Sequence, residues 1–544
     1  MKKIKIIVTI TSFFVCFQMG FSQEAKIELP EITTEVVGVS VEAEEDSLPN
    51  FATVIEIPSS SEDLIPVLPE EDIPENKNQL QELKEPSKFH GDGMIGGGYP
   101  SVLKGEFNLY QLDELNPLEL NFFHNSVYGF ASKDLSSGYS DRNTKINLEK
   151  TFVLGNFKFD LQGAFDTLGT GLQAKSEDFT EINQNDLYGF VQGEWKPFSV
   201  FTIGLNTGAN YYTRFLDATK SFVGNTGANK WITELKLISM DPTLFFKWED
   251  FGFTAMLSGK YNFSYDVEHI FEDSNSLHRG QITAEFGWKN DVAKILGEVG
   301  IAFGNRFNQN KFIIPFTIKA ALDLPTYFSS RNVKIEIKGG LDSKPTLINS
   351  KEIFYKYSAF NSLPQEQSDW YGQLDVVIPI KNSFTGKANV QYRQTAFDNG
   401  VWQPNYQNGL NGCLYGYEFA SRQLFTTEFN VNYNYKMFSI GGLWKANWMD
   451  VPVLEHSQLI GLELGANSLE GRWGAEVAIK FPIISLYESV PIVDFDAFIS
   501  VSKSVRVMLN IEDIVKLVSV RTRQYAGEYV ARGGTASLLV KYIF

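Results

Sequence analysis

The sequence predicts an all-β protein that forms a transmembrane antiparallel β-barrel of about 22 strands, within a range of about 18 to 24. Three observations support this prediction. Apolar and polar residues alternate along most of the chain, short and long connections alternate between the predicted strands, and the C-terminal stretch is apolar on one face. No helical periodicity of comparable length occurs in the sequence.

The stretch FKFDLQGAFD shows the alternation of residue types most clearly. Apolar residues and a glycine fill every second position, namely Phe157, Phe159, Leu161, Gly163 and Phe165, and the positions between them hold Lys158, Asp160, Gln162, Ala164 and Asp166. Successive side chains of a strand point to opposite faces. Such a strand fits a membrane barrel, whose outer surface contacts hydrocarbon and whose interior is polar.

Runs of about nine or more residues with this alternation give 22 predicted strands. They start near Gly91, Leu103, Leu118, Arg142, Asn156, Asp186, Ser199, Trp231, Phe251, His278, Val292, Phe312, Asn332, Trp370, Phe384, Gln423, Phe438, Ser457, Arg472, Val493, Val505 and Gly534. The stretch that starts near Trp231 reads either as one bent strand or as two.

The connections between the predicted strands are of two kinds. Tight turns are GN (155–156), KPF (196–198), KND (289–291), KN (381–382) and YKM (435–437). Long polar loops span 167–185, 213–230, 263–277, 342–368, 397–421 and 514–532. Short periplasmic turns at one end and long extracellular loops at the other are typical of a membrane barrel, and an even strand number places all five tight turns on the periplasmic side. Closure also leaves no unpaired strand edge.

The chain divides into three parts by composition. Residues 1–22 have the lysines, the apolar run and the small residues of a secretory signal peptide. Residues 23–90 form an acidic, Pro-containing periplasmic tail that is predicted to be largely disordered, because high charge and few aromatics cannot bury enough apolar area. Residues 91–544 form the barrel. Removal of the signal leaves one thiol, Cys413, and therefore no intramolecular disulfide.

The charge balance excludes one class of partner. The chain has 48 Lys and Arg against 65 Asp and Glu, for a net charge of −17. Nucleic-acid binding needs clustered positive charge, so no nucleic acid is expected. Aromatic residues near strand ends predict the two girdles of a membrane barrel, formed by Trp195, Tyr211, Tyr212, Trp248, Trp288, Trp370, Tyr433, Tyr435, Trp444 and Trp448.

The C-terminal stretch GGTASLLVKYIF carries the most specific signal. Its alternate positions Leu538, Val540, Tyr542 and Phe544 form an apolar face that ends in two aromatics. This pattern resembles the C-terminal signal that the barrel assembly machinery reads, which would make that machinery and outer-membrane lipid partners of the chain.

The last 45 residues or so resemble the final hairpin of TonB-dependent receptors. The stretches SVRVMLNIEDIVKL and YAGEYVARGGTASLLVKYIF match it at Asn510, Asp513, Tyr525, Tyr529, Arg532, Gly533 and Gly534. The resemblance implies a large outer-membrane barrel that takes up a solute and couples to a periplasmic energy-coupling protein. It also places the chain in the outer membrane of a Gram-negative-type (diderm) bacterium.

The chain departs from that family before the barrel. The family has a plug domain of well over a hundred residues inside the barrel, and residues 23–90 are too short and too Pro-rich to form one. A short stretch of the tail resembles the family's TonB box, namely Glu31, Ile32, Thr33, Thr34, Glu35, Val36 and Val37. Three alternatives for the lumen follow: a plug supplied by another protein, loops that fold inward, or a large open pore.

The sequence leaves several functions open. Transport of an unknown solute through a plugless TonB-dependent-receptor-like barrel is the main hypothesis, and the alternatives are a general diffusion porin and a surface adhesin or scaffold. Loop aromatics suit either a binding surface or a constriction, and they are Tyr355, Tyr357, Trp402 and Tyr406.

No enzymatic activity, cofactor or metal is predicted from the sequence. His269 and His278 flank Asp273 and Ser274, but these residue types are ordinary in a polar external loop. No group of Cys and His has the spacing of a zinc site.

Overall fold

The computed structural model describes residues 89–544 except for 114–115, 130–137, 176–178, 219–233, 268–275, 305–311, 326–330, 345–366, 381–382, 397–400, 411–413, 421, 452–455, 484–489, 520–523 and 526–528. Residues 1–88, with the predicted signal peptide and nearly all of the tail, lie outside the described part. The first strand begins at Phe89, two residues before the predicted start of the barrel. No helix of the described residues is long and apolar enough to cross a membrane.

The first fourteen strands are β1 (Phe89–Tyr99), β2 (Val102–Gln111), β3 (Leu118–Tyr128), β4 (Ser140–Leu154), β5 (Phe157–Gly171), β6 (Phe179–Phe198), β7 (Phe201–Ala218), β8 (Glu234–Met240), β9 (Thr243–Asp250), β10 (Phe253–Asp266), β11 (Ser276–Lys289), β12 (Ala293–Gly304), β13 (Phe312–Ile313) and β14 (Phe316–Leu324). The remaining elements are β15 (Val333–Lys344), β16 (Gln367–Pro379), β17 (Phe384–Thr395), β18 (Val401–Leu410), β19 (Leu414–Ala420), β20 (Gln423–Tyr435), β21 (Phe438–Met449), β22 (Gln458–Asn467), β23 (Trp473–Ile483), β24 (Ile492–Ser500), β25 (Val505–Glu512), α1 (Ile514–Val518), β26 (Gln524–Tyr525), β27 (Tyr529–Val530) and β28 (Thr535–Ile543).

The barrel wall is one closed antiparallel sheet. Each wall strand pairs with the next along the chain, and β28 pairs back with β1. The hairpins β18–β19 and β26–β27 lie outside this sheet, so β17 pairs directly with β20 and β25 with β28. The sheet contains 24 strands, of which two pairs are interrupted single strands, so the wall has 22 strands as predicted.

Both interruptions in the wall occur at a proline. β8 and β9 both pair with β7 and β10, and they are separated by Asp241 and Pro242. Proline has no N–H to donate to the ladder. Its carbonyl still accepts a bond from the Tyr261 N–H at 2.9 Å, so the pairing resumes at once. Pro315 separates β13 from β14 in the same way, and its carbonyl accepts from the Gly300 N–H at 2.8 Å.

The two ends of the barrel differ as the connection lengths predict. We call the end with the short connections the turn rim and the opposite end the loop rim. The strands that flank the five predicted tight turns end at the turn rim, together with Phe89 and Phe544, and the strands that flank the six predicted long loops end at the loop rim. The predicted turn at 381–382 lies outside the described residues, and the predicted turn at 196–198 is the end of β6, so that the chain turns at 199–200 instead. One connection at the loop rim is also short, since only Pro100 and Ser101 join β1 to β2.

Several wall strands extend further toward the loop rim than predicted. β5 continues to Gly171 and β6 begins at Phe179, so most of the predicted 167–185 loop is strand. β7 continues to Ala218 inside the predicted 213–230 loop. These extensions lack the apolar–polar alternation, because a strand that leaves the hydrocarbon has water on its outer face and no longer needs an apolar side.

The two faces of the wall have the predicted chemistry. Phe157, Phe159, Leu161 and Phe165 are exposed on the outer face, and the opposite face carries Lys158 and its polar neighbours. Most of the predicted girdle aromatics, such as Trp195, Trp248 and Trp370, are exposed in the same way. Tyr212 is the exception: it is fully buried on the inner face, and its phenol donates to Gln184 Oε1 at 2.8 Å. The prediction is wrong there because Tyr211 and Tyr212 are neighbours, and only one of them can face outward.

Candidate functional site: the lumen wall and the closing seam

The inner face of the wall is lined by charged side chains that pair with one another. Ion pairs join neighbours on one strand or on adjacent strands, with nitrogen–oxygen distances from 2.7 to 3.4 Å: Lys158–Asp160, Lys247–Glu249, Lys319–Glu336, Lys145–Asp166, Lys480–Asp494 and Lys541–Asp92. A wall of this kind attracts water and polar solutes and excludes hydrocarbon. A barrel of 22 strands is also too wide for its own wall side chains to fill.

We call the pairing of β28 with β1 the closing seam. Eight residue pairs join the two strands, from Asp92 with Ile543 to Tyr99 with Ala536. Two inward-facing positions of β1 are glycines, Gly96 and Gly98. A Cβ on Gly96 would lie 2.1 Å from the Leu538 carbonyl oxygen, and one on Gly98 would lie 1.8 Å from that of Ala536. Only glycine therefore allows the backbones to approach this closely at the seam.

Lys104 of β2 crosses the closing seam on the lumen side. Its ammonium donates to Asn510 Oδ1 at 2.5 Å and to Glu512 Oε1 at 2.8 Å, and both acceptors belong to β25. The side chain therefore passes over β1 and β28, where Gly96 and Ser537 leave room for it. Lys104 is 13% exposed and Glu512 is 30% exposed, so this pair is shielded from water more than pairs such as Lys158–Asp160, in which the lysine is 47% exposed.

Arg532 makes a second connection across the closing seam, at the loop rim. One guanidinium nitrogen lies 3.1 Å from Asp141 Oδ2 of β4, and the other donates to Asn125 Oδ1 of β3 at 3.2 Å. The guanidinium also lies 3.6 Å from Glu512 Oε2. Arg532 thus joins strands on both sides of the short β1–β2 hairpin.

The connection between β25 and β28, which holds Arg532, is anchored at its other side as well. Gln173, in the loop after β5, donates from Nε2 to the Val530 carbonyl at 2.9 Å and accepts the Val530 N–H at 2.8 Å. Within the connection, the Lys516 ammonium donates to the Ala531 carbonyl. We call the described residues of this connection, 513–519, 524–525 and 529–534, the strap, because Val530 and Arg532 connect them to the β3–β5 region.

Burial shifts the pKa of one strap residue, Lys516. It lies in α1, outside the wall strands, and only 5% of its surface is exposed. Burial removes water from the ammonium and lowers the pKa of Lys516 to about 8. Asp513 caps α1 from a left-handed backbone conformation with a φ of 56°, and its carboxylate accepts the Lys516 N–H.

A second buried group lies on the inner face near the loop rim. Tyr212 and Arg214 of β7 are fully buried there, and so is their neighbour Leu235 of β8. Gln184 of β6 pairs with Arg214 in the ladder and accepts the Tyr212 hydroxyl. These three inward-facing side chains have no exposure, so this part of the inner face of β7 and β8 is covered.

The predicted assembly-signal residues lie on the membrane face of the closing seam. Leu538, Val540, Tyr542 and Phe544 are all exposed there, with 50% of the Phe544 surface free. The Phe544 ring stacks on Tyr542 and on Phe107, with both centroid distances 6.1 Å. The backbone of Phe544 exchanges two hydrogen bonds with Gly91, at 2.9 and 3.1 Å, and extends the seam by one residue.

The structure describes only part of the other sequence-predicted residues. Glu31 to Val37, Tyr355 and Tyr357 lie outside the described residues, and Trp402 and Tyr406 lie on β18, for which only the backbone is described. His278 contacts Tyr261 at 2.6 Å and Ser276 at 3.0 Å, on the outer face. Within the described residues, no three His, Cys, Asp or Glu side chains group as metal ligands.

The protein resembles known proteins in structure and not in sequence. No protein family matches the sequence, and no curated protein matches it either. The structure resembles the copper transporter OprC at 9% identity, with a TM-score of 0.60 over 84% of this chain and 80% of that one. It resembles the FrpB iron transporter of Neisseria meningitidis (F5-1 variant, apoprotein form) at 8% identity, with a TM-score of 0.59 over 85% and 82% of the two chains.

A third similar structure is the siderophore receptor PirA of Acinetobacter baumannii, with 8% identity and a TM-score of 0.58 over 84% of this chain and 81% of that one. Identities this low show the fold alone. The chain therefore shares a fold with these transporters and this receptor, and its own wall is a closed, antiparallel sheet of 22 strands with a polar interior and an apolar exterior.

Proposed function

We propose that the protein moves a solute across the outer membrane of a Gram-negative-type bacterium. The observation that supports this proposal best is the charged and paired inner wall of a closed 22-strand barrel. The wall supplies a polar path through an apolar layer, and a barrel of this size encloses more space than its wall side chains occupy. The similar structures named as transporters of copper and iron, and as a siderophore receptor, support the same function.

We further propose that the barrel resembles a TonB-dependent receptor without a plug domain of its own. The tail of residues 23–90 is short, acidic and Pro-containing, and it enters the wall at the turn rim through Phe89. In this proposal, the polypeptide that fills the lumen comes from a second protein or from the loops. A periplasmic energy-coupling protein would contact the tail at Glu31 to Val37 by strand addition.

A general diffusion porin is the second candidate. It is favoured by the acidic, Pro-containing composition of residues 23–90, which is typical of a segment that does not fold into a domain. The buried inward-facing group of Tyr212, Arg214 and Leu235 argues against a fully open lumen, because a water-filled pore would leave these side chains exposed.

The proposal is tested by solute flux into vesicles. The mature chain, and a form that lacks residues 24–87, are reconstituted into liposomes with a sealed interior, and swelling is followed in uncharged sugars of increasing size. We expect the liposomes to swell only in sugars below a limiting size, and to swell faster with the truncated form. Boiled protein, which has lost the barrel, is the control.

Two outcomes would decide between the candidates. Rapid swelling of the untruncated form with large sugars would support the porin and exclude a gated lumen. Failure of both forms to pass the smallest sugar, while both still show the gel-mobility shift of a folded barrel, would contradict transport and leave the adhesin or scaffold hypothesis.

A further inference from the structure

A hollow interrupts the apolar outer surface on five neighbouring wall strands. A single row of directly paired outward-facing residues crosses β14, β15, β16, β17 and β20, namely Ile318, Gly339, Gly372, Tyr392 and Phe425. The two adjacent glycines have no side chains, and a cavity of about 570 Å³ lies over them. We call this cavity the glycine hollow.

The glycine hollow is bounded on all four sides within the surface. Toward the turn rim it ends at Ile337 and Leu374, and toward the loop rim it ends at Phe316, which meets Trp370 edge to face at 5.8 Å. Ile318 forms one flank. Tyr392 and Phe425 form the other flank. The lining is almost wholly apolar, so water gains little from entering, and the lining atoms would lose dispersion contacts if the hollow stayed empty.

The polarity of the surroundings changes toward the loop rim. The Tyr392 hydroxyl donates to Gln394 Oε1 at 3.0 Å, and Gln394 pairs across the sheet with Gln423. Both glutamines occupy outward-facing positions one step beyond the Tyr392–Phe425 row. Trp370 lies at the same level, where a membrane barrel has its aromatic girdle. The site therefore has an apolar floor and a polar upper lip.

We propose that the glycine hollow binds one acyl chain of a membrane lipid from the leaflet at the loop rim. The chain fills the space over Gly339 and Gly372, and the lipid headgroup contacts the amides of Gln394 and Gln423. An amphiphile matches both parts of the site, because its chain satisfies the apolar floor and its headgroup accepts or donates hydrogen bonds at the lip. This inference depends on insertion of the barrel into a membrane and does not depend on solute transport.

Gly372→Leu is the variant that tests the proposal. A Cβ on Gly372 would meet no atom within 4 Å, so the first carbon of a leucine side chain fits there, and the rest of the side chain extends into the hollow. Gly259→Leu is the matched control: Gly259 also faces outward, between Leu244 and Ile282, and a Cβ there also meets nothing within 4 Å. Both variants add the same side chain to the membrane face of the wall.

The readout is native mass spectrometry of full-length barrels purified from membranes in mild detergent. We expect the parent and Gly259→Leu to carry one bound lipid, and Gly372→Leu to lose at least about tenfold in occupancy, because each methylene kept out of the hollow reduces the binding free energy. Dioleoyl phosphatidylethanolamine, added back to delipidated protein, should saturate at one copy on the parent and on the control. The mass of the copurified adduct shows whether the native source is a phospholipid or a glycolipid.

Two results would overturn the proposal. Equal lipid occupancy in all three proteins, or a distribution of added lipid that never saturates, would mean that lipid covers the surface without a site. A parent that runs as a dimer in detergent, and that Gly372→Leu converts to a monomer, would mean that a second copy of the chain fills the hollow. All three proteins must show the same gel-mobility shift of a folded barrel.

Discussion

Replacing Lys104 by methionine should destabilise the closing seam more than the loss of any exposed wall charge. The change removes hydrogen bonds to Asn510 at 2.5 Å and to Glu512 at 2.8 Å, and leaves a side chain of similar length over Gly96. Hydrogen bonds to charged groups contribute about 1.5–3 kcal/mol to stability. The two acceptors keep other partners, since Asn510 still donates to Asp496 at 2.7 Å and Glu512 still faces Arg532 at 3.6 Å. The expected loss is therefore about 2 kcal/mol, below the roughly 3–5 kcal/mol for a buried charge with no partner left.

The rate of unfolding is the better measure of this loss. Unfolding entropy is about 2.1 cal/mol/K per residue, so in a barrel of about 450 residues a loss of about 2 kcal/mol lowers the melting temperature by only about 2 °C. If the Lys104 contacts are already fully broken in the transition state for unfolding, the same loss of about 2 kcal/mol accelerates unfolding about 30-fold. The assay follows the disappearance of the folded band on a denaturing gel at fixed temperature and detergent concentration, which suits a protein whose unfolding is irreversible.

Lys158→Met provides the matched control for this experiment. Lys158 also pairs with a carboxylate, Asp160 at 2.7 Å, but both residues belong to β5 and the lysine is 47% exposed. Such a pair contributes about 0–1 kcal/mol, so the control should unfold within about fivefold of the parent. The double variant Lys104→Met with Glu512→Gln should be less destabilised than the sum of its single variants. Equal unfolding rates for Lys104→Met and Lys158→Met would refute the seam argument.

Three further predictions concern the ends of the chain and the strap. Deletion of Phe544 should reduce outer-membrane insertion far more than Phe544→Tyr, which keeps the ring stacked on Phe107; equal surface levels would mean that Phe544 is ordinary membrane-facing surface. Removal of residues 24–87, with their excess of negative charge, should raise conductance in planar bilayers and weaken cation preference, and the difference in preference should shrink as salt screens the charges. Docking of the strap should strengthen as the pH rises from about 8 to about 10. Burial lowers the pKa of Lys516 to about 8, so the folded protein releases this proton in a range where the unfolded chain retains it, and stability rises with pH there. The measurement is the rate at which a protease cuts the strap in the parent, divided by the rate in Lys516→Met. This ratio should fall severalfold across that pH range, and a constant ratio would contradict the prediction.

The wall could be predicted from the sequence because its determinants are local. Alternation along FKFDLQGAFD gives the two faces of β5, and the tight turn at 155–156 fixes its pairing with β4. The bent strand interrupted at Asp241 and Pro242 could be read only as one strand or two, since proline breaks the ladder without ending the pairing on either side. The assignment of Tyr212 to a girdle failed because residue type alone does not specify the face.

The contacts across the seam could not be predicted from the sequence. Lys104 stands in LKGEFNLY on the polar face, like many other lysines, and nothing nearby in the sequence identifies Glu512 as its partner. Gln173 lies in a short polar loop, and its two hydrogen bonds to Val530 depend on where the strap docks. The glycine hollow arises because Gly339 and Gly372 are aligned by strand register, which alternation alone does not determine.

The sequence separation of the seam contacts indicates when they form. Lys104 and Glu512 are 408 residues apart, and Arg532 and Asp141 are 391 residues apart, so both contacts require nearly the whole wall to be in place. The entropy cost of such long loops must be met before these contacts stabilise anything, so they form late in folding. A late contact is absent from the transition state for folding, and its loss then accelerates unfolding without slowing folding. Lys104→Met should therefore insert into lipid vesicles at the parent rate, within about twofold, while it unfolds about 30-fold faster. If insertion slows by the same factor and unfolding is unchanged, the seam forms early and the wall is built outward from its two ends.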